Sequence, residues 1–599
     1  MKTFKKVAIL STMIAPLMLS LTSCDDLFNP APENFKGEED LKEMPSWAAG
    51  LLAHAYISNP LGNGGESYPW SETATDDAVS NDVNNGFRKI AGGAWRKDNN
   101  PLDQWQHLRA SMQYINLFLK TSEDVTWAAD EVSSKLYKMR FQGDAYGMRA
   151  LYIYHLLRAH AGWTEDGKLL GVPILTEPEN VNSQFNYPRN TFQECIAQID
   201  ADVNKAVELL PEEYGDVNAD GDVPAKYQQL GAAASQYNRV FGVTAKNRMS
   251  ARIAKAVRAQ AYLLAASPAF ADGSGVTWEQ AAKAMADVCK YLGSNPVSQL
   301  DPKGDDWFTN ADALKNLANG QNTNEWLWRT NAGESSGMEE DNFPPTMFGK
   351  GRINPSQNLV DAFPMANGYP ISAAAANYDA QNPYADRDPR LAKFIVLNKS
   401  MFGGKEIVTA VDGTDNNAMD KKDGESTRTG YYMRKLLNGD VNCNPTSKQG
   451  KHHIKPLMRF TEFFLGFAEA ANEAWGPRDS RMGFSAYDVM KAIRERAGIC
   501  ANVDDPYLNE CAANKDKMRE LIHNERRIEL CFEGFRFWDL RRWKADLNET
   551  VKGMKITGDP AHYEVVDVET RSYKDYMYWG PIPYSETLKY DQLQQNKGW

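Results

Sequence analysis

Two carboxylates near the C-terminus, Glu529 and Glu533, are spaced so that a helix would place them on one face, and Asp539 and several large aromatic residues follow in the same stretch. Enzymes that cleave glycosidic bonds use two carboxyl groups about 5–9.5 Å apart, one of which has a raised pKa. Arginines beside a carboxylate have the opposite effect, because they favour its ionised form. The same stretch carries five arginines: Arg526, Arg527, Arg536, Arg541 and Arg542. We therefore predict that these charges pair with one another inside a structural helix.

Residues 515–543 are predicted to form that helix without a break. Ile528, Phe532, Phe535 and Trp538 recur at helical spacing and predict an apolar stripe along it. The sequence contains no HExxH or Gly-rich phosphate motif. These observations favour a protein without catalytic activity, and a glycan-cleaving enzyme is the alternative.

The N-terminus has the order of a secretory signal peptide. Three lysines precede an apolar run over residues 7–21, and Leu-Thr-Ser stands before Cys24. The run is too short to span a bilayer as a helix. We predict that residues 1–23 are removed and that Cys24 becomes a lipidated first residue. The alternative is an ordinary signal peptide with an incidental cysteine.

The 599 residues carry a formal net charge of −12, and no linker or low-complexity tract divides them. An acidic surface argues against nucleic acid and anionic head groups as partners. We expect residues 24–599 to form a single domain.

Amphipathic segments of helical period fill most of this domain. Each such helix cannot bury its apolar face alone, so pairs of them are predicted to stack into a solenoid. The predicted helices cover residues 38–56, 102–120, 132–161, 190–210, 249–267, 277–292, 456–475 and 485–497.

Two loop-rich insertions, about 59–100 and 293–449, are rich in Gly, Asn, Asp and Pro with aromatic residues between them. Loops on a rigid scaffold often carry binding residues. An exposed Trp or Tyr can stack on the apolar face of a sugar ring while polar neighbours bind its hydroxyls. Tyr68, Trp70 and Trp95 fit this pattern, and the alternative is that they are core residues.

Two further features remain open at this stage. Asp216, Asn218 and Asp220 match the opening of a calcium loop, although Tyr227 stands where a bidentate Glu is needed, so a solvated acidic turn is the alternative. Cys500 and Cys511 flank a polar loop and could form a disulfide.

The run NERRIELCFEGFRFWDLRRW, residues 524–543, resembles the C-terminal signature of the SusD/RagB family of glycan-binding outer-membrane lipoproteins of Bacteroidetes. Further stretches at 355–371, 459–474, 489–498 and 578–599 occur in the family's order. The resemblance implies a mostly α SusD-like fold, in which four tetratricopeptide-like helix pairs form a right-handed scaffold beneath a large irregular region. It also implies an oligosaccharide ligand, a lipid anchor exposed on the outer surface, and a SusC-like TonB-dependent transporter as partner.

The resemblance also suggests where the ligand binds. In the family the glycan site is commonly lined by residues just before the second helix and by loops of the central insertion. By position, this implies Trp95 with Asn99 or Asn100, and then Asn342 and Phe343. Peptide binding, as in RagB-type relatives, and a purely structural role are the alternatives.

Overall fold

The computed structural model describes residues 43–57, 59–61, 68, 70–309, 314, 322–501 and 503–599. The fold is mostly helical, as predicted. Ten long helices carry the scaffold: α1 Pro45–Ile57, α2 Trp105–Thr121, α3 Glu131–His160, α4 Phe192–Leu209, α5 Ala251–Ala266, α6 Trp278–Cys289, α7 Phe460–Trp475, α8 Ala486–Ala497, α9 Lys515–Glu529 and α10 Arg536–Trp543.

The helix starts follow from local sequence. Thr191 caps α4, Thr277 caps α6 and Ser485 caps α8, each in a capping box with the acidic or amide side chain three residues later. Further helices lie between these ten and after the last: Gly86–Lys89, Ala225–Gln228, Ala234–Phe241, Ala271–Ser274, Gly337–Asn342, Gln357–Ala362, Pro389–Phe394, Pro506–Cys511 and Tyr584–Lys589.

Consecutive long helices pack against one another from α1 to α8, and α9 packs on α7, which is the arrangement of a stacked solenoid. The helix α6 packs directly on α7 although about 170 residues separate them in the chain. The loop-rich insertion therefore leaves the scaffold and returns without interrupting the stack.

Helix α3 is the central element and is unbroken at Gly143 and Gly147. A Cβ atom at Gly143 would lie 2.5 Å from Leu210 Cγ, and one at Gly147 would lie 2.4 Å from Met249 Cγ. These glycines therefore let the neighbouring chain approach α3 more closely than any other residue would.

Two helix predictions are wrong in their bounds. Residues Pro456–Arg459 form a strand, and α7 begins only at Phe460. The predicted helix 515–543 breaks after Glu529, because Phe532 and Gly534 adopt positive φ angles of 63° and 86° and turn the chain before α10.

The strands form two-stranded antiparallel pairs in the described part of the chain. The longest pair is the hairpin of Val551–Thr557 with His562–Glu569. The other pairs are Ala78–Ser80 with Ile353–Pro355, Gly162–Trp163 with Leu169–Leu170, Trp326–Arg329 with Pro456–Arg459, Gly333–Ser335 with Lys451–His453, Ile395–Val396 with Tyr432–Met433, and Ser400–Phe402 with Lys405–Ile407.

The loop-rich region, residues 322–455, has an apolar core of its own. Phe363, Phe394, Ile395 and Tyr432 are fully buried there, and Ile528 from α9 reaches into the same cluster.

Among the described residues, no helix has the length and apolarity needed to cross a bilayer. Cys500 and Cys511 are buried free thiols, so the structure contains no disulfide between them.

A buried ion network joins this region to the scaffold. We define it as Glu325, Arg390 and Lys435 from the loop-rich region, with Arg459, Arg496, Glu525, Glu529 and Glu533 from β-strand 456–459, α8, α9 and the turn after α9.

Glu529 lies at the centre of the network. Its two carboxylate oxygens accept hydrogen bonds from Arg496 Nη2 at 2.7 Å and from Arg390 Nη1 at 2.9 Å. Burial alone would raise the pKa of Glu529, but Arg496, Arg459 and Arg390 lower it to about 2. Arginines pair with this acid as predicted, but they are Arg496, Arg459 and Arg390 and not the arginines of residues 526–542.

The network also explains the break after α9. Lys435 Nζ donates to the carbonyl oxygens of Glu529 at 2.8 Å and Cys531 at 3.0 Å, and to Glu533 Oε1 at 2.6 Å. Arg459 Nη2 donates to the same Glu529 carbonyl at 2.9 Å. The carbonyl groups that the helix leaves without intrahelical partners are thus bound by cations from outside it.

Replacing Glu529 by Gln should lower the free energy of unfolding by about 3–5 kcal/mol, because it leaves buried arginines short of a counter-charge. The measurement is the midpoint of urea unfolding. The matched control is Glu208→Gln, whose partner Lys205 is exposed at the surface, and its midpoint should not change. Equal midpoints for Glu529→Gln and the unmodified chain would contradict the prediction.

Candidate functional site

The structure places Trp95 inside the protein. Its side chain is 1 % exposed, and its ring packs against Trp599 and Phe537 at centroid distances of 5.0 and 6.0 Å. Its indole Nε1 donates to Asn100 Oδ1 at 2.9 Å. The prediction that Trp95 offers a ring face to a ligand is wrong, because the side chain is buried.

The other residues of the first insertion have mixed positions. Asn99 is exposed and donates from Nδ2 to the Ala94 carbonyl at 2.9 Å. Asn100 Oδ1 also accepts from the Leu102 amide and thereby fixes the turn before α2. Tyr68 is buried, and half-buried Trp70 packs beside it with ring centroids 5.5 Å apart.

Asn342 and Phe343 do not face solvent. Asn342 is buried and donates to the Met338 carbonyl at 3.0 Å, while Phe343 packs edge-on against Phe402. The prediction that these two residues bind a ligand is wrong, because they belong to the core of the loop-rich region. Trp326 and Trp328, on the strand Trp326–Arg329, are both 2 % exposed.

The residues of the predicted calcium loop do not converge on one point. Asp216 Oδ1 accepts from the Val243 amide at 3.1 Å, and Asp220 Oδ1 accepts from the Ala234 amide at 2.7 Å. Asn218 is exposed, and the described residues contain no cluster of three metal-ligating acidic, His or Cys side chains.

The predicted signal peptide and the predicted lipidation site Cys24 lie outside the described residues.

A cavity of about 360 Å³ lies where the first insertion meets the scaffold and the turn after α9. We call it the junction cavity. Its volume falls in the range of small-molecule sites. One wall is aromatic: Phe87, Phe535 and Trp538 are half-buried, and Tyr154 is buried behind them. Of the seven ligand-binding residues predicted from sequence, the structure brings Tyr68 alone into this cavity.

The other wall of the junction cavity is polar. Gln260 on α5 donates from Nε2 to Glu462 Oε1 on α7 at 2.7 Å. Burial raises the pKa of Glu462 to about 7, and Gln260, Arg526 and Arg459 oppose this shift. Burial also lowers the pKa of Lys455 to about 8, and its ammonium lies 5.2 Å from the ring centroid of Tyr68.

The other two carboxylates that line the cavity, Glu533 and Asp539, are not available to act with Glu462 as a catalytic pair. Glu533 accepts two hydrogen bonds from Arg459 at 2.8 Å, and Asp539 is paired with Arg526 and Arg542. Arginine keeps such acids ionised and occupied, so the wall is suited to binding hydroxyl groups rather than to acid–base catalysis.

A second depression, of about 710 Å³, is lined by residues of α8 and of the segment 295–302. Its aromatic lining residue, Phe484, is 3 % exposed. It therefore offers no ring face comparable with those of the junction cavity.

Phe87, Arg158 and the place of Trp538 in the cavity wall were not predicted from the sequence. Phe535 and Trp538 were predicted to belong to an apolar stripe that packs inward, but the turn at Gly534 rotates them toward the cavity. His155 and Arg158 lie in the most apolar part of α3, and this could have indicated the site from the sequence. Charged or titratable side chains are rarely buried in such a segment unless they are paired.

The sequence model described as the SusD family matches residues 315–599, and the model described as starch-binding, associating with the outer membrane, matches residues 38–240. The chain belongs to the SusD/RagB family. Members of this family bind carbohydrate and are not enzymes, in agreement with the prediction from the paired carboxylates.

This SusD-like chain is 32 % identical over 112 residues to SusD-like protein P25 of Formosa agariphila. The matched segment spans 19 % of either chain.

Solved structures resemble the whole fold. A SusD-like protein from Bacteroides fragilis superposes with a TM-score of 0.67 at 22 % identity, covering 95 % of this chain and 99 % of that one. A SusD-like carbohydrate-binding protein from the same organism gives 0.67 at 20 % identity, covering 92 % and 100 %. A laminarin-binding SusD-like protein gives 0.56 at 18 % identity, covering 92 % and 99 %. At these identities the likeness establishes the fold.

The raised pKa of Glu462 predicts a pH-dependent stability difference between the unmodified chain and Glu462→Gln. Between its ordinary value of 4.5 and about 7, the folded chain holds a proton that the unfolded chain has released. The unmodified chain should therefore lose up to about 3 kcal/mol relative to Glu462→Gln as pH rises through this window, with no further change above it. Urea unfolding at pH 4.5, 6 and 8 measures the difference, and a constant difference would contradict the prediction.

Proposed function

We propose that this chain is a lipid-anchored outer-membrane protein that binds an oligosaccharide on the cell surface and delivers it to a TonB-dependent transporter. The observation that carries the proposal is family membership, which rests on two family models that together match most of the chain. The names of two structural relatives, one carbohydrate-binding and one laminarin-binding, support a sugar as the ligand class.

The junction cavity has the chemistry that sugar binding needs. The half-buried rings of Phe87, Phe535 and Trp538 offer apolar faces for the C–H side of a pyranose ring. Gln260 and Glu462 offer polar atoms for hydroxyl groups. The scaffold holds Gln260 on α5, Glu462 on α7 and Trp538 on α10, so this part of the site is formed before the ligand arrives.

The predicted lipidation at Cys24 supplies the anchor in this proposal, because one lipidated residue tethers a chain to a membrane without a spanning helix. Capture and release break no covalent bond, which agrees with the arginine-paired carboxylates around the cavity.

Binding of the purified chain to a panel of plant, host and microbial polysaccharides tests the proposal by affinity gel and calorimetry. We expect one glycan to bind and to be recovered unshortened. Phe87→Ala should weaken its binding about tenfold, since one aromatic contact contributes up to about 1.4 kcal/mol.

The matched control is Phe348→Ala, which removes a ring that is 50 % exposed and does not line the cavity. It should leave the affinity unchanged. Shortening of the glycan would contradict the absence of catalysis. Binding of peptides and of no glycan would replace the sugar by a peptide ligand, and equal loss in both variants would move the site away from the cavity.

A further inference from the structure

The arginines that line the junction cavity differ in their partners. Arg459, Arg526 and Arg542 are each paired with a carboxylate: Glu533 at 2.8 Å, Asp539 at 3.2 Å and Glu469 at 2.5 Å. Arg158 lines the same cavity, and no carboxylate of the described residues lies within ion-pair distance of it. The cavity therefore holds one guanidinium whose charge the described protein does not balance locally.

Packing fixes the position of this guanidinium. Its central carbon lies 4.4 Å from the ring centroid of Trp538 and 5.7 Å from that of Tyr154. Its Nη2 lies 3.1 Å from His155 Nδ1. Stacking on an indole leaves the edge of a guanidinium free to form hydrogen bonds in its plane.

The contact with Arg158 defines the state of His155. A guanidinium can only donate, so Nδ1 of the imidazole accepts, and the proton of the neutral ring lies on Nε2. Burial and the nearby Arg158 hold the pKa of His155 well below its ordinary value, in agreement with a neutral ring. The Nε2 proton points away from Arg158, and both His155 Nε2 and Arg158 Nε are buried, so neither atom reaches the cavity. His155 therefore holds the Arg158 guanidinium in place, and Nη1 of Arg158 remains accessible without a hydrogen bond in the described chain.

We propose that the junction cavity binds an acidic sugar and that Arg158 holds its carboxylate. A carboxylate only accepts hydrogen bonds, and its oxygens match the N–H groups at the end of a guanidinium. A neutral sugar offers hydroxyl groups in the same place but no charge to balance Arg158. The ligand class is thus a glycan that contains uronic acid.

The remaining lining groups suit the rest of such a sugar. Glu462 and Gln260 line the cavity and are joined by the hydrogen bond from Gln260 Nε2 to Glu462 Oε1. A carboxyl group can accept hydrogen bonds from sugar hydroxyls. The rings of Phe87 and Trp538 cover an apolar face. The inference rests on the proposed function, which supplies the sugar, and adds the charge of that sugar.

Calorimetry of the purified chain with oligomers of galacturonic, glucuronic and mannuronic acid tests this inference. The methyl-esterified galacturonic oligomer is the matched ligand, because it keeps the sugar and removes the charge. We expect at least one acidic oligomer to bind and Arg158→Gln to weaken its binding at least tenfold. The esterified form should bind as weakly as Arg158→Gln binds the acid. Higher salt should weaken binding of the acid and leave any neutral ligand unaffected.

Two further variants control for folding and geometry. Arg481→Gln removes another arginine that stacks on a tryptophan, 4.7 Å from the Trp475 ring, but lies outside the cavity, and it should bind normally. Arg158→Lys keeps the charge without the planar fork and should restore part of the affinity.

The outcomes separate the two proposals. Binding of a neutral glycan alone, unaffected by Arg158→Gln, would overturn the acidic-sugar inference and leave the proposed function standing. Binding of a sulfated galactan in place of every uronic oligomer would assign the anion to a sulfate and overturn the carboxylate. Binding of no glycan at all would overturn both proposals.

Discussion

A carboxylate that is buried away from water needs an opposite charge beside it. The buried Glu529 imposes this constraint where the loop-rich region meets the scaffold. Its neutralising partners come from two parts of the chain: Arg390 belongs to the loop-rich region, and Arg496 belongs to the scaffold. Neither part alone supplies both. The loop-rich region is therefore fixed against α8 and α9 by charge pairing as well as by its apolar core.

The same requirement shapes the junction cavity. Because Lys435 and Arg459 bind the last carbonyl groups of α9, the chain turns at Gly534 and begins α10 in a new direction. The turn carries Phe535 and Trp538 to the cavity wall. A second set of ion pairs, Arg527 with Asp76 and Asp77, holds the first insertion against this turn. Charge pairing thus positions the aromatic residues that a sugar would contact.

The sequence predicts the scaffold well because helical period and capping residues are local signals. Thr191 and Glu194, for example, define the start of α4 without reference to the rest of the fold. The alternating charges of residues 524–543 predict that Glu529 pairs with arginine. That Arg390 and Lys435 join the network could not be predicted, because tertiary contacts bring them to it. Trp95 shows the limit most clearly. Its loop composition resembles that of an exposed aromatic, but Trp599 and Phe537 cover the ring.

Native-state hydrogen exchange of the unmodified chain and of Glu529→Gln tests most directly whether the ion network joins the two parts. We expect amides in residues 326–329, 390–396 and 525–535 to open with one shared free energy in the unmodified chain. That free energy should fall together in all three segments of the variant. Faster exchange confined to residues 525–535, with the other two segments unchanged, would contradict the account.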